Sequence, residues 1–320
     1  MAAVMRPPTM LAMRAKLVQA PKLIRAQPRL AVRASSVAAS TKSRYVAETK
    51  GEPETLEFRV FLQEKGTTVS PWHDIPLHAG DGLLHFVCEI PKETSAKMEV
   101  ATVSARDPIG GGQSAVFYVQ EGPLRSLQLL MEEEGYLPLG AGQDEPKTPI
   151  KQDVKKGKLR FYPYNINWNY GLLPQTWEDP AHTNTDCNAA GDNDPVDVVE
   201  IGSTQLELGG VYKVKPLGVY AMIDDGELDW KVIAINAEDP KAASVNDVED
   251  VEREFPGTLE KIKVWFRDYK IPDGKPANGY GYNDQCLNKE FTRKVIEETH
   301  GFYNKLRSGA RENSEELSLY

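Results

Sequence analysis

The first 47 residues contain no Asp or Glu. Their only charges are basic: Arg6, Arg14, Lys16, Lys22, Arg25, Arg29, Arg33, Lys42 and Arg44, set among abundant Ala and Ser. That is the composition of an organelle transit peptide. A basic arm for nucleic acid is the competing reading. The abrupt change at Glu48 favours a processing boundary, with Val32-Arg33-Ala34 as a cleavage neighbourhood. Plastid is the expected destination, with the mitochondrion as the alternative. No stretch approaches the ~18 apolar residues of a membrane span, so no membrane partner is expected. Cysteine is scarce. Cys88, Cys187 and Cys286 are odd in number, far apart and without a C-x-x-C pair, which points to free thiols. The five histidines form no metal-ligand spacing. Gly110-Gly111-Gly112 lacks the Lys-Ser/Thr of a phosphate-binding P-loop. There is no internal repeat.

What remains is ample for a folded enzyme-sized body. The chain has 320 residues, of which 40% are apolar and 27% charged. Removing residues 1–44 takes away nine basic groups and no acid, so the formal charge moves from −9 to −18. A body that acidic repels nucleic acid and anionic lipid. It can take a polyanion only if metal ions invert the local field.

Alternation of β-branched and aromatic residues predicts strands over Thr55–Gln63, Leu83–Ile90, Lys97–Val100, Val211–Val219 and Lys231–Ile235. Asp224-Asp225-Gly226-Glu227 carries a hairpin turn signal that would bring Asp224 near Asp229. Period two sets Lys97 with Glu99, and Asp229 with Lys231, on shared strand faces. Helical stripes follow: Leu259, Ile262, Phe266 and Tyr269, then Leu287, Phe291, Val295, Ile296, Phe302 and Leu306. Strands first and helices after predict an α+β domain on an antiparallel barrel or sandwich. Residues 48–308 form this domain, and 309–320 are expected as a loose tail.

The densest chemistry is Asp192-Asn193-Asp194-Pro195-Val196-Asp197, with three carboxylates in six positions. Two carboxylates about 4 Å apart cost roughly 4 kcal/mol at an effective dielectric near 20. Hard divalent cations neutralise such a cluster with oxygen ligands, and metal ions suggest phosphate chemistry. A calcium loop of the EF-hand type fails, since Val196, Asp197 and Ser203 stand where it needs Asp/Asn, Gly and Glu. A solvated acidic turn stays open on this loop alone.

Other charged residues sit awkwardly on strands or turns: Glu89, Glu99, Asp224 and Asp229, and Lys97, Arg160, Lys231 and Lys270, with Tyr170 and Tyr269 in apolar neighbourhoods. Together these residues resemble the soluble inorganic pyrophosphatases of family I, eukaryotic branch. The resemblance rests on the acidic loop and on Pro71-Trp72-His73-Asp74-Ile75-Pro76, Glu89-Ile90-Pro91, Lys155–Phe161, Asn169-Tyr170-Gly171, Pro174–Pro180, Asp229–Ile235, Trp265-Phe266-Arg267 and Tyr269–Lys275, in family order from about residue 55 to 305. It implies a five-stranded, OB-like closed β-barrel with packed α-helices, and Mg²⁺-dependent hydrolysis of pyrophosphate to two phosphates. It further implies Asp192, Asp197 and Asp229 as principal metal ligands, with Asp224 and Glu99 helping to hold further ions and Glu89 behind them. Asp194 would be the base for the attacking water. Arg160, Lys97, Lys231, Tyr170, Tyr269 and Lys270 would hold the phosphoryl groups; Arg160, Lys97 and Tyr170 count with Asp194 as catalytic. No Ser or Cys is placed to form a covalent intermediate.

The chain departs from the fungal and animal pattern in two places. Ile166 stands where they carry an aromatic, leaving Tyr162 or Tyr164 to supply that contact. Lys92-Glu93 replaces an Arg-Trp dimer contact, which favours a monomer. Three other readings compete: a catalytically silent module, which should have lost Asp194, Arg160 or Lys231; an OB-type nucleic-acid binder, which the −18 charge opposes; and a two-metal phosphohydrolase of nucleotides or phosphoesters.

Overall fold

A computed structural model describes residues 44–103 and 147–319. Most of the transit segment and the Gly110-Gly111-Gly112 loop lie outside the described residues.

Five strands carry the site: β1 (Leu83–Ile90), β2 (Asn169–Leu172), β3 (Asp197–Glu200), β4 (Val211–Asp224) and β5 (Glu227–Asn236). The turn between β4 and β5 is Asp225-Gly226, with φ of 50° and 98°. Positive φ at both turn residues matches the twist of a tight hairpin. The ladder runs from Asp224↔Glu227 to Val214↔Asn236 and slips between Pro216 and Gly218, where proline has no N–H to give. β5 pairs with β3 in parallel (Asp197↔Lys231), β3 with β2 antiparallel (Leu172↔Asp197), and β2 with β1 antiparallel. β1 then pairs antiparallel with the first half of β4 (Val87↔Val211). The parallel pair corrects the all-antiparallel expectation. β4 crosses from β3 to β5, which gives those two strands the same direction, and the sheet is mixed. A β-carbon at Gly171 would lie 1.9 Å from the Val87 carbonyl oxygen. β1 and β2 come this close only because that position is glycine.

A second, antiparallel sheet uses Tyr45–Lys50, Arg59–Glu64, Thr67–Val69, Met98–Val100 and Ile150–Gln152. Its Val60, Leu62 and Ile150 share one core with Trp72, Ile90, Trp177 and Phe266. The strand expected from Thr55 begins at Arg59, because the Phe58 N–H closes a turn on the Thr55 carbonyl.

Among the described residues three α-helices follow: α1 (Val248–Glu254), α2 (Thr258–Asp268) and α3 (Lys289–Arg307). α2 buries Leu259, Ile262 and Phe266 as its stripe predicts, and Tyr269 falls just past its end. In α3 the Asn288 side chain caps the Phe291 N–H, and Val295, Ile296 and Leu306 are buried. α1 has too few turns to show a stripe in the sequence. The last residues correct the expectation of a loose tail. Leu317 and Ser318 are buried, the Ser318 N–H donates to the Thr102 carbonyl at 2.8 Å, and His73 Nε2 lies 2.9 Å from the Ser318 carbonyl. A terminus stays loose only when its backbone and apolar groups lack partners, and here both find them.

Candidate active site

Strand register assembles the centre. Asp229 and Lys231 lie two apart on β5 and share a face, and Asp197 on β3 is the register partner of Lys231. The Lys231 ammonium, only 3% exposed, donates to Asp229, to Asp197 and, at 3.0 Å, to the Tyr170 hydroxyl. That hydroxyl donates in turn to Asp197. One cation thus compensates two carboxylates on adjacent strands.

The acidic loop closes over this pair. Asp192 Oδ1 accepts the Asp194 N–H at 3.0 Å. Asn193 sits at φ 75°, a left-handed conformation that Asn tolerates better than most residues. The buried Val196 N–H donates to Thr176 Oγ1 at 2.9 Å, pinning the loop to the 174–180 segment. From that segment Glu178 enters, both of its oxygens 3.2 Å from the Trp230 N–H. Glu178, Asp192 and Asp229 each bring one carboxylate oxygen within 4.8 Å of the others. These all-oxygen donors fit a hard divalent cation and suit neither a soft metal nor a zinc site built on sulfur or imidazole.

Two flanks complete the cleft. Lys97 Nζ lies 2.6 Å from Glu99 and 3.1 Å from Asp153, and Arg160 pairs with the same Asp153 oxygen. On the other flank Lys270 pairs with Asp224, and the Tyr269 hydroxyl lies 3.4 Å from Asp224. Tyr162 stands edge-on to Tyr269 at 5.5 Å. Buried Glu89 accepts the Val100 N–H at 2.7 Å beneath Glu99.

Carboxylates outnumber the cations able to balance them, and the proton affinities reflect it. Burial, then Asp192, holds Glu178 well above the usual carboxylate range, and burial, then Asp229, does the same to Asp192. Asp229 is pushed up to about 7 by burial, although Lys231 pulls it down. Burial alone would lower Lys231, but Asp197 and Asp229 raise it well above the ordinary lysine value. Asp194 reaches solvent, yet the protein packed around it strips hydration and, with Glu99, pushes its carboxyl up to about 7. Asp153 goes the other way: burial opposes ionisation, but Lys97 and Arg160 together hold it below the usual range.

The inorganic pyrophosphatase family model matches residues 86–304. The chain belongs to the inorganic pyrophosphatase family. It is 59% identical over 296 residues to soluble inorganic pyrophosphatase 1, chloroplastic, of Chlamydomonas reinhardtii, covering 92% of this chain and 91% of that one. It is 53% identical over 273 residues to soluble inorganic pyrophosphatase 6, chloroplastic, of Arabidopsis thaliana, covering 85% and 77%. Among solved structures it resembles the N-terminally truncated vacuolar soluble pyrophosphatase of Trypanosoma cruzi, solved in complex with pyrophosphate. The TM-score there is 0.67 at 36% identity, over 86% of this chain and 97% of that one. Members of the family hydrolyse pyrophosphate to two phosphates, and this chain is a hydrolase of that kind.

Against that family background, the expected ligands divide. Asp192 and Asp229 meet in one oxygen cluster, while Asp197 joins through Lys231 and Tyr170. Asp224 and Glu99 are each held by a lysine, Lys270 and Lys97. Two residues escaped the sequence reading as site residues: Glu178 and Asp153. Glu178 had a signal, an acid inside the Pro174–Pro180 motif. Asp153 lies just before the Lys155–Phe161 motif, and its role shows only once the 154–159 hairpin turns Arg160 back onto it and Lys97 arrives from 56 residues earlier. Ile166 is fully buried in the core. Of the two tyrosines that could replace the missing aromatic, Tyr162 lies beside Tyr269, whereas Tyr164 is 56% exposed.

Proposed function

We propose that Mg²⁺ is the metal of this pyrophosphatase and that the chain works in the chloroplast as a monomer. The expected boundary at residue 48 moves back, because Tyr45 is buried and Tyr45–Lys50 pairs with Arg59–Glu64; residues 1–43 would be the transit peptide, and the catalytic body would run from residue 44 to the docked C-terminus. The ring of pairings from β1 through β2, β3, β5 and β4 back to β1 supports reading the framework as a five-stranded OB-like closed barrel. Lys92, where the resemblance would lead one to expect a dimer contact, bonds instead within its own chain, to the carbonyls of Gly202 and Ser203 at 3.5 and 3.2 Å, which supports the monomer.

The observation that carries the reading is the Glu178–Asp192–Asp229 oxygen cluster beside the Lys231 bridge. Asp192, Asp197, Asp229 and Glu178 would hold Mg²⁺, with Asp224 and Glu99 at its margins and Glu89 supporting them. Bound divalent metal supplies positive charge to the pyrophosphate oxygens and lowers the pKa of the attacking water. Asp194 takes that water's proton, as a carboxylate set beside the ligand Asp192 is placed to do. Arg160 presents its planar fork to phosphoryl oxygens, while Lys97, Lys231 and Lys270 act as point charges. These cations now face Asp153, Glu99, Asp197, Asp229 and Asp224, so substrate exchanges one set of anions for another without leaving a buried charge bare. The Tyr170 and Tyr269 hydroxyls donate to phosphate oxygens.

The test is phosphate release by the purified chain with Mg²⁺ and with chelator, using pyrophosphate, ATP and a phosphomonoester. Fast release from pyrophosphate alone, lost with chelator, is the expected result. Equal rates on ATP or the monoester, or chelator-resistant release, would overturn the reading.

A further inference from the structure

The docked C-terminal strap reaches the acidic loop through a short chain of contacts. The Arg311 guanidinium donates to Asp179, with Nη2 3.1 Å and Nε 3.3 Å from Oδ1, and its Cζ lies 5.2 Å from the centre of the Trp177 ring. Glu315 Oε1 accepts from the same Nη2 at 2.6 Å, and both side chains are largely buried. Trp177 is fully buried, and its indole N–H lies 3.1 Å from Asn193 Oδ1 and 3.3 Å from the Asn193 carbonyl. Asn193 separates Asp192 from Asp194 and holds a positive φ. Two backbone bonds complete the seam: the Glu178 N–H to the Asp194 carbonyl at 2.9 Å, and the Asn193 N–H to the Glu178 carbonyl at 3.0 Å. Residues 177–179 therefore touch the strap on one side and the acidic loop on the other.

We propose that Arg311 is a positioning residue for the metal site. By fixing Asp179 and the Trp177 ring, it sets where Glu178 and Asp192 present their oxygens, and so sets affinity for the divalent cation. The inference rests on the reading that Glu178, Asp192 and Asp229 hold the metal. A strained Asn193 backbone between two repelling carboxylates has no reason to keep one geometry unless it is clamped, and the clamp lies more than a hundred residues along the chain. Groups that orient metal ligands typically alter metal affinity by about 10–100-fold when removed.

The test is calorimetric titration of the full chain with Mg²⁺ and no substrate, beside steady-state kinetics and thermal melting. Arg311→Met keeps an apolar stem over Trp177 and loses the charge. It should weaken Mg²⁺ binding about tenfold and raise the half-saturating Mg²⁺ for turnover in step. The KM for pyrophosphate at saturating Mg²⁺ should stay within about twofold, as expected when uniform substrate binding is untouched. Arg311→Lys should recover part of the affinity. Asn193→Gly, which keeps the positive φ and removes the Oδ1 acceptor, should reproduce the loss and serves if Arg311→Met does not fold. Unchanged Mg²⁺ affinity in Arg311→Met, whatever its melting temperature, would reduce Arg311 to a tether for the strap and overturn the proposal. Unchanged affinity in Asn193→Gly would overturn the route through Trp177. Asp192→Asn separates the two layers: if it binds Mg²⁺ like the unaltered chain, the metal reading beneath the proposal is the part that has failed.

Discussion

Replacing Lys231 by Met tests the electrostatic account of the site most directly. The ammonium is 3% exposed and touches Asp197 and Asp229 at once. At about 3 Å and an effective dielectric near 20, each contact is worth roughly 5 kcal/mol of gross attraction, most of it offset by desolvation. Removing the cation while its partners stay ionised is expected to cost about 3–5 kcal/mol net. In a body of ~270 residues that lowers the melting temperature by roughly 5–15 °C. The loss should depend on pH in one direction. Asp229 has its folded pKa raised to about 7 from an ordinary 3.8, so the folded state holds more protons than the unfolded between those values. Its stability contribution is complete below pH 4 and disappears as pH rises through 7. Lys231→Met in chelator should therefore melt far below the unaltered chain at pH 8 and much closer to it at pH 5.5, where Asp229 is mainly neutral. Excess Mg²⁺ at pH 8 should recover much of the loss, since a cation bound only by the folded state stabilises it. Melting curves at the two pH values, with and without Mg²⁺, decide the matter. An equal loss under all four conditions would mean that Lys231 contributes packing rather than charge compensation.

Asp194→Asn should lower turnover at least about a hundredfold, as loss of a positioned base does. Its melting temperature should hold or rise, because one repelling carboxylate is gone; near-normal turnover would remove Asp194 from the mechanism. Glu178→Gln should weaken Mg²⁺ binding tenfold or more by calorimetry, and an unchanged constant would show Glu178 to be a purely structural acceptor for the Trp230 N–H. Burial lowers His73 to about 4 from 6.5. A neutral His73 thus stabilises the fold by up to about 3 kcal/mol above pH 6.5, an amount lost as pH falls through 4. Urea unfolding of His73→Gln and the unaltered chain should differ at pH 7 and converge near pH 4, and a constant difference would refute the linkage.

Local chemistry was legible in the sequence wherever neighbours in the chain are neighbours in space. Period two placed Asp229 with Lys231, the Asp-Gly signal set the β4–β5 hairpin, and apolar stripes marked α2 and α3. The acidic loop announced a cation because three carboxylates in six positions repel whatever the fold. Contacts between distant segments left no such mark. Nothing near Asp153 says that Lys97 shares it, nor does the polar stretch from Asn313 show that Leu317 is buried and Ser318 bonded. The direction of β3 against β5 depends on a crossing of β4 that no single strand's pattern encodes. What the sequence alone determined was the inventory: which residues can bear charge, turn the chain or fill a core, and the family they identify. What only the tertiary structure decided was partnership. It set which carboxylate meets which lysine, that Glu178 rather than Asp197 joins Asp192 and Asp229, and that the chain's end docks beside the acidic loop, because burial and register act between segments far apart in sequence.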